Sequence, residues 1–425
     1  MKDRTMTHYD DLEIRSADER AADLPAMLGR AIANAKLAPG FARALRDVEP
    51  EDIASPADLA RLPVLRKSEL SEAQGKRRPF GGFTTRRTAE FDHVFQSPGP
   101  IYEPGRVDGD WWRLGRFLHA AGVGHGDIVQ NCFAYHLTPA GMMFESAARA
   151  VGAAVLPAGT GQTELQVQAA ADIGTTAYAG TPDYLKIILD KADELGVQLG
   201  FTRAVVGGGA LFPSLRQLYA DRGIATLQCY ATADLGSIAY ESEAMDGIIV
   251  DEGVIVEIVR PGTGDPVPEG EVGEVLVTTL NPDYPLIRFA TGDLSAVMPG
   301  ESPCGRTNMR IQGWMGRADQ TAKIKGMFVR PEQVAALVSR LPGVARARVI
   351  ADRAGEMDVM TVQLETTAAD AALYESTVLE ALKLRGRVEI VAPGSLPNDG
   401  KVIEDRRSYG YVRPLIQMRF SAWSD

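Results

Sequence analysis

Residues Ala204 to Cys229, AVVGGGALFPSLRQLYADRGIATLQC, indicate the fold class of the chain. The first three of these residues are apolar and predict a short buried strand, which ends at the three glycines from Gly207 to Gly209. A second apolar segment starts at Ile224 and predicts another strand. Two strands separated by a connection of this length imply parallel pairing, with helices on the faces of the sheet. The sequence therefore predicts an α/β fold.

The same alternation of helix and strand extends over residues 108–223, where Ile128–Phe133 predicts a further buried strand. Upstream, residues 17–75 predict amphipathic helices, because they are rich in Ala, Leu and Glu. Between Phe95 and Gly105, three prolines and two glycines exclude a helix or a central strand. This segment is predicted to be a rigid loop.

Two regions of different composition follow. Residues 247–315 predict a β-rich subdomain, antiparallel or barrel-like, because two strand-like segments flank a turn of Pro, Gly, Thr and Asp. Further on, a helix from Pro331, two strands and a long helix over residues 368–385 predict a small α+β domain. We therefore expect a large domain of parallel-sheet layers with the β-rich subdomain over residues 1–318, and the small domain over residues 319–425.

The composition excludes several classes of protein. The chain has 45 Lys and Arg against 56 Asp and Glu, a net charge of −11, which disfavours a nucleic-acid partner. The cysteines Cys132, Cys229 and Cys304 have no pairing or metal-ligand spacing, which is typical of a reducing cytoplasm. The charged N-terminus lacks the apolar segment of a signal peptide, and no run approaches about 18 apolar residues. We therefore expect a cytoplasmic protein without a membrane partner.

The segment Tyr230-Ala231-Thr232-Ala233-Asp234-Leu235-Gly236 directly follows the second strand. Ligands of open α/β sheets bind beyond the carboxyl ends of the strands, so this predicted loop is placed to touch one. Tyr230 can stack on a base, and Asp234 can ligate Mg²⁺. The backbone amides of the three glycines can hold a flat heterocycle or an anion, although a tight strand-to-helix turn explains glycines there equally well.

The strongest local signal is Pro285–Leu294, PLIRFATGDL. A carboxylate in a glycine-flanked turn, here Asp293, can accept hydrogen bonds from both hydroxyls of a ribose. The motif Gly316-Arg317-Ala318-Asp319 follows, and Leu396–Lys401, LPNDGK, places a lysine on a loop near the C-terminus. A single exposed lysine is usually a solvated surface residue. The motif LPNDGK therefore indicates a function only in combination with the other motifs.

Taken in order, GGGA, YATADLG, GEVGEV, IRFATGDL, GRADQ and PNDGK resemble the acyl-adenylate-forming superfamily of acyl-CoA synthetases. The segments CGRTNMRI and GKVIEDRR look most like its phenylacetate–CoA ligase branch. The resemblance covers roughly residues 90–407. It implies an enzyme that activates an acid with ATP and Mg²⁺, releases pyrophosphate, and transfers the acyl group from acyl-AMP to coenzyme A. A homodimer is also an expectation from this resemblance.

The resemblance implies a role for each matched residue. The nucleotide site would consist of Gly208, Gly209, Ala210, Tyr230, Ala231, Thr232, Asp293 and Arg317. Asp293 would bind the ribose hydroxyls, and Arg317 the ribose or phosphate region. Asp234 would ligate Mg²⁺, Asp319 would be the hinge of a mobile C-terminal domain, and Lys401 would bridge the substrate carboxylate and the α-phosphate.

The phosphate loop departs from the family pattern SSGTTGKP, because the matching segment here is QSPGPIYEPG. Only Ser97 and Gly99 can play similar parts, no lysine is present, and Glu103 adds a negative charge. The lost contacts to pyrophosphate are each worth about 1.5–3 kcal/mol. A weakly active nucleotide-binding homologue therefore stays open as an alternative, as does an enzyme that loads a carrier protein or another acceptor instead of CoA.

We expect the acyl pocket to involve Phe133, Tyr135, His136, Phe144 and Gly159. Aromatic side chains there indicate an aromatic acid of the phenylacetate or benzoate type, although ordinary core packing explains each of them equally well. For His136 a core position with satisfied hydrogen bonds is favoured over a contact with substrate. The Cys and His residues that bind structural zinc in some relatives have no match, so no zinc is predicted.

Overall fold

In a computed structural model, the chain divides into two compact units, Met1–Ala318 with Asn398–Gly400, and Asp319–Pro397 with Lys401–Asp425. The structure describes residues 8–318, 320–324, 327–354, 357–368 and 371–407. No helix among them is both long enough and apolar enough to cross a membrane.

The larger unit begins with helices, as expected for residues 17–75, although a short strand interrupts them. Its α-helices are α1 (Ala17–Leu37), α2 (Pro56–Leu59), α3 (Lys67–Lys76), α4 (Gly115–Ala120), α5 (Ala140–Ala150), α6 (Thr163–Ile173), α7 (Pro182–Leu195) and α8 (Pro213–Asp221). Short 3₁₀ helices lie at Asp11–Ile14, Pro39–Phe41, Pro50–Asp52 and Thr88–Glu90. Helix α1 starts where Ser16 and Glu19 form a capping box, which satisfies backbone donors at the first turn.

The strands of the larger unit form a central sheet, a second sheet and a hairpin. They are β1 (Leu65–Arg66), β2 (His93–Ser97), β3 (Ile101–Gly105), β4 (Ile128–Asn131), β5 (Ala154–Leu156), β6 (Ala177–Gly180), β7 (Arg203–Val206), β8 (Ala225–Thr232), β9 (Gly236–Tyr240), β10 (Ile248–Val250), β11 (Val254–Val259), β12 (Gly273–Thr279), β13 (Phe289–Ser295), β14 (Val297–Met298) and β15 (Arg310–Ile311).

The central sheet has nine strands in the order β14-β15-β10-β9-β8-β7-β6-β4-β5. Strands β5, β4, β6, β7 and β8 pair in parallel, and from β8 to β14 the pairing is antiparallel. Val205 of β7 packs in the same cluster as Phe144 of α5, whereas Val206 packs with Leu185 of α7. Successive side chains point to opposite faces, so helices cover both sides of the parallel half. The predicted α/β fold is confirmed.

The second sheet has the order β1-β13-β12-β11. Strands β11, β12 and β13 are antiparallel, as expected for the β-rich region, while β1 joins β13 in parallel. The region over residues 247–315 does not form a sheet of its own, because β10, β14 and β15 extend the central sheet instead. Short strands such as these find partners through tertiary packing, which the local sequence does not encode.

Residues 95–105 form a β-hairpin, so the prediction of a rigid loop is wrong. Strand β2 pairs with β3 in antiparallel register, from His93 opposite Gly105 to Ser97 opposite Ile101. The turn consists of residues 98–100. A sheet of two strands has only edge strands, the positions where proline is tolerated, and Pro104 therefore fits within β3.

The smaller unit is an α+β domain, as predicted. Its elements are β16 (Ala322–Ile324), β17 (Met327–Val329), α9 (Pro331–Ser339), β18 (Arg346–Ala354), β19 (Met357–Glu365), α10 (Ala371–Leu382), β20 (Arg387–Val391) and β21 (Ile403–Asp405). Strands β18 and β19 pair antiparallel at the centre of the sheet β20-β19-β18-β21, whose outer strands run parallel to their neighbours. Leu337 of α9 and Val378 of α10 pack in one core with Val349 and Val362.

Candidate active site

The glycines from Gly207 to Gly209 follow the carboxyl end of β7. A Cβ atom at Gly207 would lie 3.0 Å from Sγ of Cys229, so glycine lets β7 and β8 remain close there. Gly208 has a φ of 69°, in the left-handed region that favours glycine. Gly208, Gly209 and Ala210 are exposed, so a ligand beyond the strand ends can reach their backbone.

The end of β8 carries the next predicted residues, but they do not form a loop. Tyr230, Ala231 and Thr232 belong to β8 and pair with β9, with a register shift between Tyr230 and Ala231. Only residues 233–235 form the turn, because β9 already starts at Gly236. The predicted loop is therefore the tip of a β-hairpin, which fixes the direction of the Tyr230 side chain.

Asp293 lies in an irregular part of β13 rather than in a turn, which corrects the prediction. The register between β12 and β13 shifts between Glu274 and Leu276, so extra residues of β13 bulge out around Asp293. Gly292 has a φ of 74°, which such a bulge requires. A bulge re-aims side chains, and here it brings Asp293 to Tyr230 of the other sheet.

Three side chains donate hydrogen bonds to the carboxylate of Asp293, which is 8% exposed. Oδ2 accepts from the hydroxyl of Tyr230 at 2.9 Å, and Oδ1 accepts from Nη1 of Arg317 at 2.9 Å. Oδ1 also accepts from Nε1 of Trp314 at 3.1 Å. Burial and the charge of Asp293 raise the pKa of Tyr230 well above its usual value, so its hydroxyl remains a donor. The structure thus brings three predicted residues together and adds Trp314, which no motif singled out.

Asp234 lies in the turn after β8 and forms an ion pair with Lys67, the first residue of α3. Nζ of Lys67 is 2.9 Å from Oδ2 of Asp234. The side chain of Asp234 is 1% exposed and that of Lys67 is 44% exposed, so the lysine can still be reached from solvent. Oδ1 of Asp234 accepts no hydrogen bond from the described residues. Sequence reasoning missed Lys67, because it lies in a different segment from every motif.

Glu103 of β3 lies close to this ion pair. It is fully buried, and neither of its carboxylate oxygens has a hydrogen-bond partner of good geometry among the described residues. Burial, and then the charge of Asp234, raise the pKa of Glu103 to about 8, against opposing effects of Ser97 and Lys67. Of the predicted phosphate-loop residues, Ser97 ends β2 and is buried, and Gly99 is exposed in the hairpin turn.

The predicted acyl-pocket residues divide into two groups, of which Phe133 and Phe144 belong to a buried core cluster, as the core-packing interpretation expected. The rings of Phe133 and Phe144 stack at 4.2 Å between centroids, and a Cβ atom at Gly207 would lie 3.8 Å from the ring of Phe144. A missed residue, Asn131, organises the others. Its Nδ2 donates to the hydroxyl of Tyr135 at 2.8 Å, and its carbonyl accepts from the amide of Gly159 at 2.9 Å. The sequence did offer a signal for Asn131, because an amide side chain in a strand predicted to be buried must have hydrogen-bond partners.

His136 is exposed, so the interpretation as a core histidine is wrong. The chain turns at the surface there, since Leu137 has a φ of 62° and is 58% exposed. A turn of this kind points neighbouring side chains to solvent, whatever their chemistry.

The loop with Lys401 belongs mainly to the smaller unit and is held at both of its ends. Oε1 of Gln320 accepts from the amides of Val402 at 2.7 Å and Ile403 at 2.9 Å. At the other end, Oε1 of Glu365 accepts from the amide of Leu396 at 2.6 Å. Lys401 itself is exposed. The predicted hinge residue Asp319 lies outside the described residues.

Within the described part of the chain, no group of three or more His, Cys, Asp or Glu side chains could hold a metal ion. The absence of zinc stays a prediction. Oδ1 of Asp234 nevertheless has no hydrogen-bond partner among the described residues, and a carboxylate oxygen is the ligand type that Mg²⁺ prefers. The residues present therefore fit a Mg²⁺ ion that enters with a nucleotide.

An exposed glycine loop after β7, Asp293 in the bulge of β13 and a separate α+β unit are the features expected from the resemblance to adenylate-forming acid–thiol ligases. Comparison with known proteins agrees, although no protein-family model matches the chain. The phenylacetate-coenzyme A ligase of Aromatoleum evansii is 31% identical over 337 residues, which is 75% of each chain. That of Escherichia coli (strain K12) is 29% identical over 433 residues, 93% of this chain and 97% of the other.

A solved structure of similar fold extends the comparison. The open conformation of 2-hydroxyisobutyryl-CoA ligase, in complex with 2-HIB-AMP and CoA, matches with a TM-score of 0.70 and 25% identity over 93% of both chains. The chain belongs to the phenylacetate–CoA ligase family. It is an acid–thiol ligase that joins a carboxylic acid to CoA through an acyl adenylate.

Proposed function

We propose that the enzyme activates an aromatic acid of the phenylacetate or benzoate type with ATP, and that it produces aryl-CoA, AMP and pyrophosphate. The observation that carries the proposal is the cluster of Tyr230, Asp293 and Arg317 beside the exposed glycine loop. The names of the curated relatives support the same acid, and CoA rather than a carrier protein as acceptor.

The nucleotide binds with its ribose at Asp293 and its adenine along Gly208, Gly209 and Ala210. A buried carboxylate accepts two hydroxyl hydrogen bonds well, since charge-assisted bonds are the strong ones. The exposed backbone of the glycine loop gives a flat base room and hydrogen-bond partners. Ala231 and Thr232, at the end of β8, continue this surface.

The aryl group of the acid binds against the stacked pair of Phe133 and Phe144. This pair lies beside Gly207, so an acid packed on it has its carboxylate next to the nucleotide loop. Aromatic rings prefer offset or edge contacts with other rings, worth about 0.5–1.5 kcal/mol beyond the area they bury. Tyr135 and Gly159, both fixed by Asn131, complete the wall.

Lys67 supplies the positive charge that is missing from the hairpin of β2 and β3, which matches the family's phosphate loop in sequence but contains no lysine. Lys67 lies in the first turn of α3. A positive side chain there is unfavourable by about 0.3–1 kcal/mol, because the N-terminus of a helix carries a partial positive charge. The amides of that turn favour an anion, and a bound pyrophosphate group would satisfy both the amides and the lysine. Asp234 would then hold Mg²⁺, which neutralises phosphoryl oxygens when it is bound.

The acid's carboxylate attacks the α-phosphorus of ATP, the bond to the bridging oxygen breaks, and pyrophosphate leaves. Negative charge spreads over the phosphoryl oxygens in this step, so positioned cations lower its barrier. Lys401 is the second such cation, delivered by the mobile smaller unit with Asp319 as its hinge. The CoA thiol then attacks the acyl carbon as it loses its proton, and AMP leaves with the electron pair of the broken bond.

Pyrophosphate release from a panel of carboxylic acids, measured with and without CoA, tests the proposal. We expect release with aryl acids and accumulation of aryl-CoA only when CoA is present. If no aromatic acid supports pyrophosphate release while AMP still raises the melting temperature, the proposed substrate is wrong. The chain would then bind a nucleotide without this activity. A product formed on a carrier protein but not on CoA would reject the acceptor.

A further inference from the structure

The carboxylate of Asp293 has too few free lone pairs for a ribose. A carboxylate offers about four acceptor positions, and three are occupied by Tyr230, Trp314 and Arg317. The two hydroxyls of a ribose need two positions. One of the three donors must therefore leave before both hydroxyls can bind.

Tyr230 and Arg317 are poorly placed to leave. Tyr230 is held within β8, and its ring is packed against the apolar core of the larger unit. Arg317 forms a backbone bridge with Asp293, and its Nη1 also donates to the carbonyl of Thr291 at 3.4 Å. The side chain of Arg317 is 54% exposed, but its departure would break an ion pair with Asp293 as well as the bond to Thr291. Both Tyr230 and Arg317 are therefore expected to remain.

Trp314 is the donor that can move at the lowest cost. Trp314 is 58% exposed, and its bond to Asp293 comes from a neutral N–H without the ion pair that Arg317 forms, so its departure costs less. It lies between Gly313 and Gly316, whose φ angles of 90° and 123° are accessible mainly to glycine. Glycines on both sides let the backbone of a short segment rotate and carry the indole away.

We infer that Trp314 caps the ribose-binding carboxylate in the free enzyme, and that the ribose diol displaces its indole N–H when a nucleotide binds. The inference rests on the proposed function, which assigns the ribose to Asp293. In the free state the cap satisfies a buried carboxylate that would otherwise lose hydrogen bonds. In the bound state Trp314 competes with the ligand, and so it sets the affinity for nucleotides with two ribose hydroxyls.

The variant Trp314→Phe removes the N–H and keeps an aromatic ring. Because AMP no longer has to displace a donor, its affinity should rise about 3- to 10-fold. With 2′-deoxy-AMP only one hydroxyl remains, and the fourth acceptor position of Asp293 is already free for it. The gain should therefore be absent for 2′-deoxy-AMP.

Calorimetric titration of AMP and 2′-deoxy-AMP into wild type, Trp314→Phe and the matched control Trp111→Phe tests the inference. Trp111 contacts Phe91 in an edge-on arrangement, and it is not among the described side chains that donate to the carboxylate of Asp293. The change of indole emission on AMP binding should be large in wild type and Trp111→Phe, and smaller in Trp314→Phe, which keeps the other three tryptophans of the chain.

Weaker AMP binding by Trp314→Phe would overturn the inference, because Trp314 would then be a ligand contact. Unchanged binding, or an equal gain for both nucleotides, would overturn it as well. The variant Asp293→Asn separates this failure from that of the proposed function. If wild type does not bind AMP, or if Asp293→Asn binds it equally well, the nucleotide site itself is wrong. If AMP binding depends on Asp293 but Trp314→Phe shows no selective gain, only the cap is rejected.

Discussion

Nζ of Lys67 lies 2.9 Å from Oδ2 of Asp234, although 167 positions separate the two residues in the chain. One is the first residue of α3, and the other is in the turn of a hairpin at the edge of the parallel strands. The pair joins the N-terminal helices to the predicted nucleotide site. Lys67 also places a positive charge near Glu103, in the hairpin of β2 and β3 that is predicted to match the family's phosphate loop.

The first prediction concerns Lys67→Ala. Loss of a cation at the pyrophosphate end should lower kcat/KM for ATP in acid-dependent ATP–pyrophosphate exchange about 10- to 100-fold, the value of one charged hydrogen bond. AMP affinity should not change, since AMP has no β- or γ-phosphate. Lys76→Ala is the matched control, because Lys76 ends the same helix and pairs only at the surface with Glu72. Equal losses in ATP and AMP affinity would mean that Lys67 has a structural role only.

The second prediction concerns Asp293→Asn. The amide offers one acceptor oxygen instead of two and carries no charge, so AMP binding should weaken roughly 30- to 100-fold, about 2–3 kcal/mol. Calorimetry measures this directly, with Asp265→Asn on an exposed turn as the control. Pyrophosphate binding should be unaffected by either change. A parallel loss of pyrophosphate affinity would contradict a contact limited to the ribose.

The sequence predicted those parts of the site that follow from a strand and the residues directly after it. Gly208 and Tyr230 lie at the ends of β7 and β8 because parallel strands end at the same edge of a sheet. Asp293 reaches this edge through a bulge in a different sheet, which the motif TGDL does not reveal. Its pairing with Tyr230 could be inferred only from the family resemblance.

The remaining parts depend on contacts between distant segments. Lys67 and Glu103 carry no local pattern of their own, and their importance arises from burial next to Asp234. The hairpin of β2 and β3 was missed because prolines and glycines disfavour central strands but not edge strands. His136 was misjudged since its exposure is set by a surface turn and not by its apolar neighbours.

The third prediction concerns the pH dependence of stability through Glu103. Its pKa is raised to about 8 from 4.5, so between these values the folded state binds a proton that the unfolded state has lost. The free energy of unfolding of wild type should therefore fall as the pH rises through this window. Glu103→Gln stays neutral, and at pH 8 it should be more stable by on the order of 2–4 kcal/mol.

Denaturant unfolding of metal-free protein in EDTA, at several values between pH 5 and pH 9, measures this effect. The difference between Glu103→Gln and wild type should grow up to about pH 8 and then remain constant. Glu72→Gln is the control, because Glu72 is exposed on α3 and its pKa is lowered by its hydrogen bond to Lys76. A difference that is independent of pH would show that Glu103 is ionised in the folded protein throughout.

The last prediction separates the two lysines by half-reaction. Lys401→Ala should reduce ATP–pyrophosphate exchange strongly, by a factor on the order of 100, because a cation is lost from the transition state in which charge develops. Thioester formation from preformed acyl-AMP and CoA should keep its wild-type rate, since no phosphoryl transfer occurs in that step. Arg387→Ala removes an exposed cation from the same unit and should change neither half-reaction. If Lys401→Ala slows both half-reactions equally, its assigned role is rejected. If it slows neither while Lys67→Ala abolishes exchange, the helix α3 lysine alone provides the cation for adenylation.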